Sequence, residues 1–199
     1  MITCVVFDMG QVLASPPELF TLPAARLGVE PDALELQYWV GRRAYDEGGS
    51  DASYWGPLLE ALGRRPSPEL IHELATQDAN LWIQLRPDAW RLLKEVRATG
   101  TTVAVLSNAP FVIDMALLDA PWVTDVDHVF VSASMGMTKP NPTVYARVQE
   151  VVDVPADQIA FIDDRQPNVD GAERAGWHTH LFVDDADTRA WLAQLGVLS

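Results

Sequence analysis

The stretch Val5-Val6-Phe7-Asp8-Met9-Gly10-Gln11-Val12-Leu13 decides how this chain is read, because an apolar run ends there on an acid. The run lacks the polar alternation of a half-exposed strand, which is expected of a strand covered on both faces. Starting from Ile2–Phe7, four more such runs follow at Thr102–Leu106, His128–Val131, Ile159–Ile162 and His178–Val183. Helical patterns separate them. Pro87 opens one, with Trp90, Leu93 and Val96 at helical spacing, and Gly100 closes it. Asn141-Pro142 starts another through Val144, Tyr145 and Val148, and a third runs from Asn168 through Ala175 to Gly176. Strands alternating with helices predict an α/β fold with a doubly wound, mainly parallel, Rossmann-like sheet.

The segment from Pro16 to Leu85 breaks this alternation. It holds no convincing strand but several amphipathic stretches, around Leu19–Leu27, Leu34–Tyr45, Tyr54–Leu62 and Leu70–Leu81. Gly48-Gly49-Ser50 and the span from Gly63 to Pro68 read as joints between helices. The expected organisation is an α/β core of residues 1–15 and 86–199, with a helical bundle of residues 16–85 inserted just after the first strand as a cap on it.

Composition narrows the partners. The 199 residues suffice for one sizeable domain with a smaller insertion, and 48% of them are apolar, which is globular rather than disordered. A formal net charge of −14 opposes binding to nucleic acid or an anionic membrane surface. A small anionic substrate remains compatible, since a few local cations and a metal outweigh the general field. The single cysteine, Cys4, has no internal disulfide partner. No apolar stretch approaches the roughly 18 residues of a membrane span. A cytoplasmic monomer or homodimer is the expectation.

Open parallel sheets bind ligands outside the carboxyl ends of their strands. Asp8, Ser107 and the pair Asp163-Asp164 all fall at such ends, and Lys139 sits in Thr138-Lys139-Pro140 after the third strand. A carboxylate, a hydroxyl, an ammonium and an acid pair are the parts of a magnesium-assisted phosphoryl-transfer site. In this order the chain resembles the haloacid dehalogenase-like superfamily of hydrolases over nearly its whole length. The resemblance is carried by F-D-M-G-Q-V-L, V-L-S-N, M-T-K-P-N-P and F-I-D-D-R-Q-P-N-V-D-G-A. The D-x-G-x-V form with its acid pair is most similar to a bacterial branch that includes a glucose-1-phosphate phosphatase, and to phosphatase domains attached to some epoxide hydrolases.

The resemblance implies Asp8 as the nucleophile that becomes an aspartyl-phosphate. It implies Mg2+ held by the Asp8 carboxylate, the Gly10 carbonyl and the Asp164 carboxylate, with Asp163 orienting a ligand water or completing the surroundings. Ser107 and the Asn108 main-chain N–H would bind the transferring oxygens, and Lys139 would offset charge on Asp8 and the phosphoryl group. The implied substrate is a small phosphorylated metabolite, for example a sugar phosphate. Two other outcomes stay open: a metal-independent dehalogenase, and a weakened protein that keeps the phosphate pocket. Gly10 departs from the family pattern, which places a second aspartate there as general acid. Its loss predicts activity that falls steeply as the leaving group becomes more basic.

The remaining residues receive plainer readings. Ser107 also serves as a candidate cap for the helix that follows it. Asn168 is expected to order the loop after Asp164, and Asp170 is the weaker candidate. His178 and His180 alternate on one strand and read as structural. Trp90 fits a helix face and Trp39 and Trp82 the cap interior, leaving Tyr54 and Trp55 as candidates for the substrate entrance. Arg42, Arg43, Arg64 and Arg65 read as solvated cap surface, one of them being long enough to reach a substrate without the sequence choosing which. Asp184, Asp185 and Asp187 start the final helix, where acids suit the dipole.

Overall fold

The computed structural model describes residues 1–199. Its strands are β1 (Cys4–Phe7), β2 (Thr102–Ser107), β3 (His128–Val131), β4 (Ile159–Asp163) and β5 (His178–Leu181). They form one sheet in the order β3-β2-β1-β4-β5, and every pairing is parallel. β1 is central, with Phe7 opposite Val105 on one side and Ile162 on the other. The chain winds outward from β1 in both directions, so the ends of β1, β2 and β4 lie side by side.

Strand pleating explains how both faces are filled. Val5, Phe7, Val103, Val105, Ala160 and Ile162 face one apolar cluster, which continues into the helices of the insertion. Cys4, Val6, Ala104, Leu106, Ile159 and Phe161 face the other, against Val144, Tyr145, Val148 and Trp177. The apolar runs of β1, β2 and β4 are therefore buried on both sides, whereas the edge strands β3 and β5 are only partly covered, having a neighbouring strand on one side alone.

Five helices lie between β1 and the next strand's helix: α1 (Thr21–Leu27), α2 (Pro31–Tyr38), α3 (Arg42–Asp46), α4 (Asp51–Ala61) and α5 (Pro68–Trp82). Ser50 and Ser67 cap α4 and α5, accepting from the N–H groups of Ser53 and Leu70. The stretch expected as one helix through Leu34–Tyr45 is two. Gly41, at φ 71°, breaks it in the left-handed region, and α3 restarts at Arg42. That break turns Arg42 and Asp46 inward. Gly48 holds the next turn at φ 105°.

α6 (Pro87–Ala98) leads into β2; α7 (Phe111–Leu117) and α8 (Ser132–Met135) flank β3; α9 (Pro142–Val152) precedes β4. α10 (Gln166–Arg174) follows β4, and α11 (Asp185–Gln194) follows β5. Asp184 caps α11 by accepting from the Asp187 N–H at 2.8 Å, so that acidic cluster is accounted for by the helix start. His178 approaches the Asp157 carbonyl at 3.1 Å, and His180 stacks on Trp191. No helix is long and apolar enough to cross a membrane.

Gly171 on α10 is required by packing. A Cβ there would lie 2.7 Å from the hydroxyl and 2.9 Å from the ring of Tyr145, which is fully buried and donates to the Asn168 carbonyl at 2.8 Å. Overpacking costs about 1–3 kcal/mol, against a helix-propensity gain of about 1 kcal/mol for alanine. Gly171→Ala is therefore expected to lower stability by up to about 2 kcal/mol, read from the denaturant midpoint.

Candidate active site

Asp8 follows β1 directly, and the chain then doubles back. The Met9 carbonyl accepts from both Leu13 N–H, at 2.9 Å, and Ala14 N–H, at 2.8 Å, while Gln11 N–H donates to the Ala14 carbonyl at 2.8 Å. The turn needs Gln11 at φ 60°, a left-handed conformation that costs a side-chain-bearing residue about 1 kcal/mol. It leaves the main-chain N–H groups of Met9 and Gly10 without a partner in the chain. The Asn108 N–H, at the end of β2, is free as well. Three unpaired donors beside one carboxylate make a cradle for anionic oxygens. Sequence reasoning anticipated only the one on Asn108.

Lys139 is the centre of the charge pattern. Its ammonium lies 2.7 Å from Asp8 Oδ1, 2.7 Å from Asp163 Oδ2 and 2.7 Å from the Leu106 carbonyl, with its side chain 1% exposed. Burial works against its charge, but Asp163 and Asp8 outweigh that and hold its pKa above the ordinary lysine value. The loop carrying it is clamped by Asn108, whose Oδ1 accepts from Lys139 N–H at 2.8 Å and whose Nδ2 donates to the Lys139 carbonyl at 3.0 Å.

Asp163 is fully buried and fully engaged. Besides Lys139, it accepts from Arg165 N–H at 2.9 Å and from Asn168 Nδ2 at 2.9 and 3.1 Å. A carboxylate so occupied positions its neighbours and has little left for a cation. Asn168 thus orders the loop as its place in the sequence implies. Asp164 is half-buried and accepts nothing from any other side chain; burial first, then Asp163, raise its pKa above the usual carboxylate range. Burial also pushes the Asp8 carboxyl up to about 7, against the pull of Lys139.

Carboxylate oxygens of Asp8, Asp163 and Asp164 lie within 4.8 Å of one another. Three acids around one ammonium leave negative charge in excess. Hard oxygen donors, a free Asp164 and a Gly10 carbonyl that accepts no bond in the chain suit a magnesium-like ion. The residues present fit the group.

These parts open onto a crevice of about 660 Å³, whose walls come from both the strand ends and the inserted helices. Ser107, 3% exposed, lines it beside Asn108. Ser107 does not cap a helix: α7 starts only at Phe111, with no side-chain cap. The aromatic readings need correction. Tyr54 and Trp55 are buried inside the inserted bundle, whereas Trp39, 52% exposed, and Trp82 line the crevice. Trp82 fits the interior reading as well, donating to the Tyr38 hydroxyl at 2.9 Å. Arg42 is buried rather than solvated, paired with Asp46 at 2.9 Å and Asp78 at 3.3 Å. Arg64 donates to the Leu27 and Gly28 carbonyls at 2.6 Å, closing the end of α1. The inward turn at Gly41 hid both Arg42 and Trp39 from a helical-periodicity argument.

The fold and crevice define a Rossmann-like α/β protein with its acidic site at the strand ends. A family model described as haloacid dehalogenase-like hydrolase matches residues 2–176, and the chain belongs to that family. It is similar to Phosphatase MT3486 of Mycobacterium tuberculosis, 29% identical over 196 residues that span 94% of this chain and 90% of that protein. It is also similar to a ribulose-1,5-bisphosphate 5-phosphatase of Halopiger xanaduensis, 30% identical over 96% of this chain and 88% of the relative. In fold it matches the L-2-haloacid dehalogenase from Xanthobacter autotrophicus with chloropropionic acid covalently bound. That TM-score is 0.75 at 21% identity, covering 100% of this chain and 85% of the other.

Lys139→Met would leave Asp8 and Asp163 facing each other without their shared cation. Removing one partner from a buried ion pair typically costs about 3–5 kcal/mol. A loss of that order is expected in denaturant unfolding, and adding Asp8→Asn should recover part of it because one stranded charge disappears.

Proposed function

We propose that the chain is a phosphomonoesterase acting on a small phosphorylated metabolite, with Asp8 as nucleophile. The observation that carries this reading is the Lys139 ammonium 2.7 Å from Asp8, beside unpaired N–H groups and a free Asp164. Asp8 would attack phosphorus through its carboxylate oxygen, forming an aspartyl-phosphate that water then hydrolyses. Lys139 would offset the charge on both reactants, while the N–H groups of Met9, Gly10 and Asn108 and the Ser107 hydroxyl hold the phosphoryl oxygens. Asp163 would fix Lys139 and the loop after β4.

Magnesium would be held by the Asp8 carboxylate, the Gly10 carbonyl and Asp164. Bound there, it supplies positive charge that lets one anion approach another. Three curated phosphatases that each span nine-tenths or more of this chain support phosphate chemistry. A metal-free site for a haloacid is disfavoured by Asp164, whose unpaired charge would repel the substrate carboxylate. The inserted helices would serve as a cap over residues 16–85, walling off the crevice and selecting the substrate through Trp39, Trp82 and Arg43.

A phosphate-release screen across metabolites, with and without magnesium, tests the reading. Release is expected with magnesium, falling sharply in chelator, and Asp8→Asn should lower it by more than about 10³-fold. Halide release in chelator would replace this reading with dehalogenation. Binding of magnesium and phosphate without any turnover would replace it with a binding protein.

A further inference from the structure

The crevice contains one buried acid that the scheme above leaves idle. Asp46 closes α3, is 7% exposed, and lines the same crevice as Asp8, Gly10 and Lys139. Its Oδ1 accepts from Arg42 Nε at 2.9 Å, whereas its second oxygen takes no bond within the chain. Arg42 does not depend on it alone, since Asp78 also balances that guanidinium.

The position of Asp46 is fixed from the core side. Its carbonyl accepts from Ser132 Oγ at 2.6 Å, and the same Oγ accepts from the Ala109 N–H at 2.9 Å, next to Asn108. The following residue, Glu47, accepts from Thr138 Oγ1 at 2.9 Å, next to Lys139. Gly49 seals the turn beyond, where a Cβ would lie 2.9 Å from the Ala44 carbonyl. Asp46 is therefore held between the two loops that bind the transferring group, on the inserted side of the crevice. Gly10, where an acid would otherwise protonate the leaving oxygen from the core side, has no side chain.

We infer that Asp46 is the general acid of this site, so that the substrates include phosphate esters of ordinary, poorly leaving alcohols. This rests on the phosphatase reading. In the first step the Asp8 oxygen–phosphorus bond forms and the phosphorus–alcohol oxygen bond breaks. The electron pair stays on the alcohol oxygen, which takes the proton of the Asp46 carboxyl. In the second step water attacks phosphorus, the bond to Asp8 breaks, and the water's proton returns to Asp46. Burial pushes the Asp46 carboxyl up to about 6; Arg42 pulls it down, while Asp78 and Glu47 push it up. It is therefore part-protonated where an acid is needed.

The test compares p-nitrophenyl phosphate with glycerol phosphate, reading kcat/KM, which reports the first phosphoryl transfer. Asp46→Asn, which can still accept from Arg42, is expected to lower the glycerol ester by about 10²-fold or more and the aryl ester by less than about threefold. Retained aryl turnover also shows that the variant folds. In the wild type, between about pH 7 and 9, where both esters are dianions, the glycerol-to-aryl ratio should fall nearly tenfold per unit. That second measurement needs no variant. The steep leaving-group dependence read from Gly10 then belongs to Asp46→Asn. Equal loss on both esters, an unchanged glycerol ester, or a flat ratio across pH would each overturn the assignment with the phosphatase reading intact. A wild type that hydrolyses neither ester nor any metabolite of the phosphate-release screen overturns both.

Discussion

The site depends on one ammonium shared by two carboxylates. Lys139 holds Asp8 and Asp163 at equal distances, and a buried charge survives only when paired this closely. Everything nearby keeps that geometry. The Asn108 amide locks the lysine's own backbone, Asn168 and the Arg165 N–H occupy what remains of Asp163, and parallel pairing sets β1, β2 and β4 side by side. Asp8 Oδ2 and Asp164 are left out of this network. The arrangement thus sorts three neighbouring acids into one that is held, one that is poised and one that is open.

Most of the sheet could be read from residue pattern. Continuous apolar runs such as Val103-Ala104-Val105-Leu106 mark strands covered twice, and the structure pairs each expected run in parallel. The ends were less legible, because β5 stops at Leu181 and β1 starts only at Cys4, where neighbouring strands stop pairing. Asp8, Ser107, Asn108, Lys139 and the acid pair were legible through their places at strand ends. The division of labour between Asp163 and Asp164 was not, since it follows from hydrogen bonds that reach Asp163 from three separate positions.

The inserted helices were far less legible. Amphipathic spacing locates helices but does not choose which face meets a crevice made by another part of the chain. Trp39 and Trp82 carry the same side chain, yet one is half exposed and the other buried against Tyr38. Arg42 shows the same limit, because periodicity puts an arginine outside unless a partner is known to wait inside. Its partners, Asp46 and Asp78, come from two different helices.

The insertion leaves and rejoins the core at a single point. The Arg86 N–H donates to the Leu13 carbonyl at 2.9 Å, and the Arg86 guanidinium grips Asp185 at 2.7 and 2.9 Å. Departure and return are therefore neighbours, and the sheet perceives the whole excursion as a short hairpin-like junction. A lineage could lengthen, shorten or swap that excursion without re-registering a strand, renewing selectivity while the chemistry beneath stays put.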